Sequence, residues 1–221
     1  MAQRDSGYAR IARDAYNTPH WVSDALLSDI AGGVRLPRGS IVWEPAAGTG
    51  QMVERIEAHG LECIAADIAP TSTNMMAGSF LDDGKDAFLP FPFDAIITNP
   101  PYAISEAFVR RALDLTERAR GLVAMLLPVA WDSAKTRLDL TENHPAWGRK
   151  IVLVDRICWF DPAPGDSTPS ENHAWFVWDW RGTLGRSLAY RAAPADVLAS
   201  LSAKRRKVPS AANSNRKDRT S

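Results

Sequence analysis

The chain predicts an α/β fold: a mostly parallel, seven-stranded sheet with helices on both faces. Three observations carry this. Short apolar runs alternate with amphipathic helical segments along most of the 221 residues. One run, Gly121 to Leu127, is almost wholly apolar, as in a strand covered on both sides. Two loops of unusual composition, Glu44 to Gly50 and Asn99 to Tyr102, each directly follow a strand signal, so such a sheet would bring them to one rim.

The elements follow in order. Pro19 to Ile30 reads as a helix capped by Thr18, with Trp21, Val22, Ala25, Leu26 and Leu27 near one face. Ser40 to Glu44 is a short strand that enters the small-residue loop, and a helix runs from there to His59. Leu61 to Asp67 is the second strand, Met75 to Phe80 a weakly marked third, and Phe93 to Thr98 the fourth. A helix over Ser105 to Arg118 has Phe108, Ala112, Leu113 and Leu115 as its apolar positions, and Gly121 to Leu127 is the fifth strand. Ala130 to Gly148 is polar and reads as a partly helical excursion, with Trp131 and Trp147 as candidate substrate contacts. Lys150 to Phe160 and Ala174 to Trp180 are the sixth and seventh strands, joined by a turn-rich loop. A short helix over Pro194 to Ala203 closes the domain, residues 1–203.

Composition narrows the class. Hydrophobic content of 45% and charged content of 24% are ordinary for a globular protein. Neither a membrane span nor a signal-peptide core is evident, which predicts a cytoplasmic protein without membrane partners. Cys63 and Cys158 are isolated and read as buried free thiols, and the four histidines lack ligand spacing, so no metal is expected. His173, just before the seventh strand, reads either as a surface-loop residue or as one reaching the rim. Trp175, Trp178 and Trp180 read as packing residues. The net charge of zero hides an asymmetry: residues 204–221 carry seven basic side chains and one acidic, net +6, leaving −6 on the rest. This tail reads as a disordered basic arm, either able to hold phosphates or simply solvated.

The chemistry concentrates in the two loops. Pro100 and Pro101 stop the fourth strand, remove two backbone donors and bias Asn99 toward an extended backbone. The corner offers an amide, carbonyls without competing N–H groups, and the Tyr102 ring. It suits a planar nitrogen group, although a plain strand-ending turn has the same composition. The loop Glu44-Pro45-Ala46-Ala47-Gly48-Thr49-Gly50 lets a ligand approach the backbone closely. Asp67, at the end of the next strand, can accept hydrogen bonds from ribose hydroxyls, which points to a nucleoside-bearing cofactor.

Together and in this order, the glycine loop, Asp67 and Asn99-Pro100-Pro101-Tyr102 resemble the S-adenosylmethionine-dependent amino-methyltransferases, most closely the DNA adenine-N6 group. Tyr16 to Val22 is similar to the family's Thr-Pro segment. The likeness runs from about Tyr16 to Trp180 and implies a Rossmann-like class I methyltransferase fold. It assigns the cofactor to Thr18, Pro19, Glu44, Ala46, Gly48, Gly50, Asp67, Ile68, Ser79, Phe80 and Asn99. It assigns catalysis to Asn99, Pro100, Pro101 and Tyr102. Base stacking falls to Tyr102, with Phe160 or its neighbour Trp159 at the end of the sixth strand. One departure stands out: Gly78-Ser79-Phe80 has Ser79 where the family places an acidic residue, so Ser79 could accept the hydrogen bond from the cofactor's adenine amino group less strongly, or Asp82 or Asp83 could substitute.

The resemblance implies methylation of adenine N6 in DNA. RNA adenine is the nearest alternative, since the corner is the same. Protein glutamine methylation uses the same tetrapeptide but usually with an N-terminal helical domain, and about 15 residues precede Tyr16 here. An inactive nucleic-acid-binding homologue would leave the intact corner unexplained. Without a large additional segment, sequence reading would fall to residues 130–149, the 161–173 loop and the tail, implying a short or relaxed recognition sequence. Oligomeric state is left open.

Overall fold

The computed structural model describes residues 17–28, 33–82, 92–159 and 171–207. Their backbone forms β1 (Ile41–Glu44), β2 (Glu62–Asp67), β3 (Met76–Ala77), β4 (Ala95–Thr98), β5 (Leu122–Pro128), β6 (Trp147–Leu153), β7 (His173–Asp179) and β8 (Ser187–Arg191). The helices are α1 (His20–Leu27), α2 (Gln51–Ala58), α3 (Ser105–Glu117) and α4 (Ala195–Lys207).

These strands make one sheet in the order β3-β2-β1-β4-β5-β7-β6-β8. It holds eight strands, not the expected seven. The additional one is β8, an edge strand paired parallel to β6. It is half exposed along its length, so no burial pattern announces it in the sequence. β7 alone runs antiparallel to its neighbours, between β5 and β6.

The alternation of side chains splits the core in two. Val42, Ala95, Ile97, Leu122, Ala124, Leu126, Trp175 and Val177 face α1 and α2. Trp43, Ile96, Val123, Met125, Leu127, Phe176 and Trp178 face α3 and the segment after β5. The period-two alternation explains why the core divides into two clusters and why β5 and β7 are apolar at nearly every position. Trp175 and Trp178 are fully buried, and their indole N–H groups donate to the Val22 and Leu140 carbonyls. Such pairing removes the cost of burying the indole donor.

The chain order creates the site. From β1 it winds outward through α2 to β2 and β3, then returns across β1 to β4 on the other side. The β1–β4 boundary is therefore the switch point at which a crevice opens beyond the strand ends. The two informative loops leave from these two strands.

Some boundaries differ. β6 begins at Trp147 and ends at Leu153, seven residues before the expected Phe160. Asp155 then turns the chain, its Oδ2 accepting the Ala193 N–H at 2.8 Å. The segment between β5 and β6 holds one short 3-10 turn, Lys135–Arg137. α4 continues to Lys207, four residues beyond the expected end. The remainder of the basic tail lies outside the described residues. Cys63 and Cys158 are half-buried, not fully buried. Among the described residues no helix is long and apolar enough to cross a membrane.

Candidate active site

A cleft of about 440 Å³ opens over the β1–β4 boundary. Its lining includes Thr18, Glu44, Ala46, Gly48, Asp67, Ile68, Ser79, Phe80, Asn99 and Pro101. Residues separated by as many as 91 positions, Asn17 and Phe108, thus converge there. Pro19, Gly50, Pro100, Tyr102 and Trp159 are not among the lining residues. Pro19 is the N-cap of α1, and Gly50 is the N-cap of α2 with φ +90°. Phe160 and Asp83 lie outside the described residues.

The glycine loop is held by hydrogen bonds rather than by packing. The Gly48 N–H donates to Asp67 Oδ2 at 2.9 Å, and Asp67 Oδ1 accepts the Ala69 N–H at 2.8 Å. Thr71 Oγ1 donates to the Gly48 carbonyl at 2.8 Å, and Thr49 Oγ1 to Asn17 Oδ1 at 2.7 Å. Gly48 has φ +54°, and a Cβ there would point into open space. The conformation, not crowding, requires glycine. Asp67 therefore shapes the loop before it can meet any ligand. A carboxylate has about four lone-pair sites, so two backbone N–H bonds leave capacity for hydroxyl groups.

Glu44 ends β1 with 1% of its surface exposed. One carboxyl oxygen, Oε1, accepts the Ala46 N–H at 3.0 Å. Burial, more than the nearby Asp67 charge, pushes its pKa up to about 8, against the pull of Thr98 and that N–H. The carboxyl is thus mostly neutral at pH 7 and faces a cleft that could receive a cation.

At the corner after β4, Asn99 Nδ2 donates to Thr18 Oγ1 at 3.2 Å. Thr18 therefore does not cap α1, which has no side-chain cap hydrogen bond. It turns the Asn99 amide instead. Asn99 Oδ1 is left buried with no hydrogen-bond partner among the described residues. Below it, Ser105 Oγ donates to the Tyr102 carbonyl at 2.9 Å, and Trp131 Nε1 donates to Ser105 Oγ at 3.0 Å. Trp131 is 4% exposed, with the Arg137 guanidinium 4.7 Å above its ring. It is a support of the corner, not a surface contact for substrate. Trp147 is likewise packed, against Phe176 and Trp178. Their polar neighbours in the sequence face outward and conceal this role.

His173 is the residue the sequence left most open. It opens β7 and is 3% exposed, not on a surface loop. Its ring lies 5.5 Å from Tyr102 and 5.2 Å from Trp159. Trp159, six residues past the end of β6, packs on this histidine. Ser79 Oγ accepts the Leu81 N–H at 3.3 Å and lines the cleft, whereas Asp82 does not. Residues missed by sequence reading include Asn17, Thr71, Ile104 and Phe108. Asn17 sits beside Thr18 in the Thr-Pro segment, whereas the other three belong to no motif and reach the cleft through the fold.

No protein-family model and no curated protein matches this chain in sequence. Solved structures do match in fold. The methyltransferase subunit of a type I restriction-modification system from Streptococcus thermophilus superimposes with a TM-score of 0.56 at 11% identity, over 86% of this chain and 53% of that one. A class I S-adenosylmethionine-dependent methyltransferase from Listeria monocytogenes gives 0.51 at 11% identity, over 85% and 68%. This chain spans about half the length of the Streptococcus protein. The sheet and its flanking helices have the class I methyltransferase fold, with β8 as the extra strand.

Proposed function

We propose that this protein transfers a methyl group from S-adenosylmethionine to the N6 amino group of adenine in DNA. The observation that carries the reading is the Asn99 amide: its nitrogen is committed to Thr18, and its oxygen is buried and unmatched among the described residues. A buried acceptor without a donor costs roughly 1–3 kcal/mol. An exocyclic amine supplies the missing donors.

The cleft residues fit the cofactor. Asp67 keeps lone pairs for ribose hydroxyls beyond its two backbone bonds. Gly48 leaves open space toward the ligand, and Ile68, 64% exposed, offers an apolar surface for an adenine face. Ser79 presents a hydroxyl in place of a carboxylate, and Glu44 stands where a cationic amino-acid end would be received. When bound, S-adenosylmethionine supplies an electrophilic methyl group on a sulfonium.

The chain's own part is orientation. The adenine N6 lone pair is delocalised into the ring and is a poor nucleophile. Asn99 Oδ1 and the Pro100 carbonyl accept its two hydrogens and favour a more tetrahedral nitrogen, aimed into the cleft. This is positioning and electrostatic preorganisation, and no general base is required before transfer. Extruding the base from a duplex costs about a few kcal/mol. Stacking on Tyr102, at roughly 1–3 kcal/mol, offsets much of it. The restriction-modification origin of the Streptococcus structure is in keeping with DNA as the polymer.

Labelled S-adenosylmethionine offered with DNA and RNA in parallel, followed by nucleoside identification, tests the reading. N6-methyladenine in DNA is expected. Transfer to RNA alone shifts the polymer, and no transfer by a folded, cofactor-binding preparation overturns the reading. Asn99→Ala should lower turnover by about 10²–10³-fold while cofactor affinity stays within a few fold.

A further inference from the structure

Three rings stand in contact beside the Asn99 corner. The Tyr102 and His173 rings are 5.5 Å apart and tilted by 34°, and Trp159 meets the His173 ring edge-on at 5.2 Å and 86°. His173 pairs across the sheet with Pro128, the last residue of β5. Because β7 runs antiparallel, its first residue lies at the rim where the parallel strands end.

Two features of His173 go beyond packing. Its side chain is 3% exposed, yet neither Nδ1 nor Nε2 has a hydrogen-bond partner among the described residues. Leaving two buried polar atoms unmatched is costly, whereas a phenylalanine would fill similar space without that cost. Burial also drives the imidazole pKa down to about 4, against a weak interaction with the Glu171 backbone that falls short of a well-formed hydrogen bond. The ring is therefore neutral near pH 7, with one nitrogen a donor and the other an acceptor.

We propose that His173 contacts the target base, donating its imidazole N–H to a ring nitrogen of the adenine held against Tyr102. This rests on the adenine-N6 reading and adds a specificity-determining residue to it. Asn99 and Pro100 meet the exocyclic amine. N1, N3 and N7 of adenine are all acceptors and need a donor of this kind. Trp159 covers the imidazole in the free protein, so its ring shifts as the base enters.

The test pairs His173→Phe with oligonucleotides in which the target is 1-, 3- or 7-deazaadenine. Wild-type enzyme should lose about tenfold or more in kcat/KM with one of the three, and His173→Phe should lose a similar factor on ordinary adenine, with no further loss on that analogue. Cofactor affinity and thermal unfolding should not weaken in the variant. Long-range ¹H–¹⁵N spectra of histidine-labelled protein give a readout independent of turnover. The His173 nitrogens should shift when an adenine oligonucleotide joins the S-adenosylhomocysteine complex. Full kcat/KM in His173→Phe, equal analogue losses in both enzymes, or His173 signals indifferent to the oligonucleotide would each overturn the proposal. With an active wild type, those results leave the adenine-N6 reading standing. A wild type inactive on every nucleic acid removes both.

Discussion

Replacing Glu44 by glutamine tests how the buried carboxyl is held. Glu44 is 1% exposed, and burial sets its pKa near 8 against an ordinary value of 4.5. Between those values the unfolded chain has released this proton while the folded chain keeps it. Stability is therefore fullest below about pH 4.5 and falls as pH rises toward 8. At about 1.4 kcal/mol per unit, the loss between pH 4.5 and 7 is roughly 3 kcal/mol. Glutamine keeps the acceptor for the Ala46 N–H but does not ionise. Urea unfolding at pH 5, 7 and 8.5 should show the Glu44→Gln protein gaining on wild type by about 3 kcal/mol or more across that span. Cofactor binding adds a second reading. If the cationic end of S-adenosylmethionine draws Glu44 into its ionised form, wild-type affinity should rise by up to about tenfold per pH unit below 8, and the variant should lack that slope. Parallel stability profiles for the two proteins would refute the burial argument.

Three further outcomes follow from named contacts. Thr18→Val keeps the shape but removes the acceptor for Asn99 Nδ2; a turnover loss of about tenfold, with cofactor affinity within a few fold, is expected from a freed amide, and steady-state kinetics with calorimetry check it. Trp131→Phe leaves Ser105 without its indole donor and should cost about 1–3 kcal/mol in chemical denaturation, together with a fall in kcat. On the acid side, His173 stays neutral in the folded chain down to about pH 4, so stability should drop as pH falls from 6.5 toward 4; His173→Phe should flatten that limb in the same urea series.

Much of the arrangement was legible because burial and chemistry left a double imprint. β1, β2, β4, β5 and β7 were placed within about two residues because each is an apolar run closed by Gly, Pro or Asp. β8 was not, because Leu188 and Tyr190 face solvent at 55% and 59% exposure and leave no burial pattern. The end of β6 was misplaced for a related reason: Ile157 is buried without being in a strand, and its apolar neighbourhood reads as a continuation. Glu44, Gly48, Asp67 and Asn99, named from the sequence, line the cleft because each lies at a strand end or in the loop that follows it. Trp131 and His173 were misjudged because burial there is imposed by distant partners: Ser105 and Phe176 for one, Tyr102 and Trp159 for the other. Local polarity carries no trace of either.

The reversed direction of β7 has a consequence for how such a protein can change. A connection between two parallel strands must travel back along the sheet, but the one from β6 to β7 leaves and rejoins at the same rim, at Val154 and Asn172. The Val154 N–H donates to the Arg191 carbonyl and the Val129 N–H to the Asn172 carbonyl, and Arg156 Nε adds a bond to Asn172 Oδ1 at 3.2 Å. Because both ends meet the sheet at one rim, a change in the length of this connection requires no strand to shift its register.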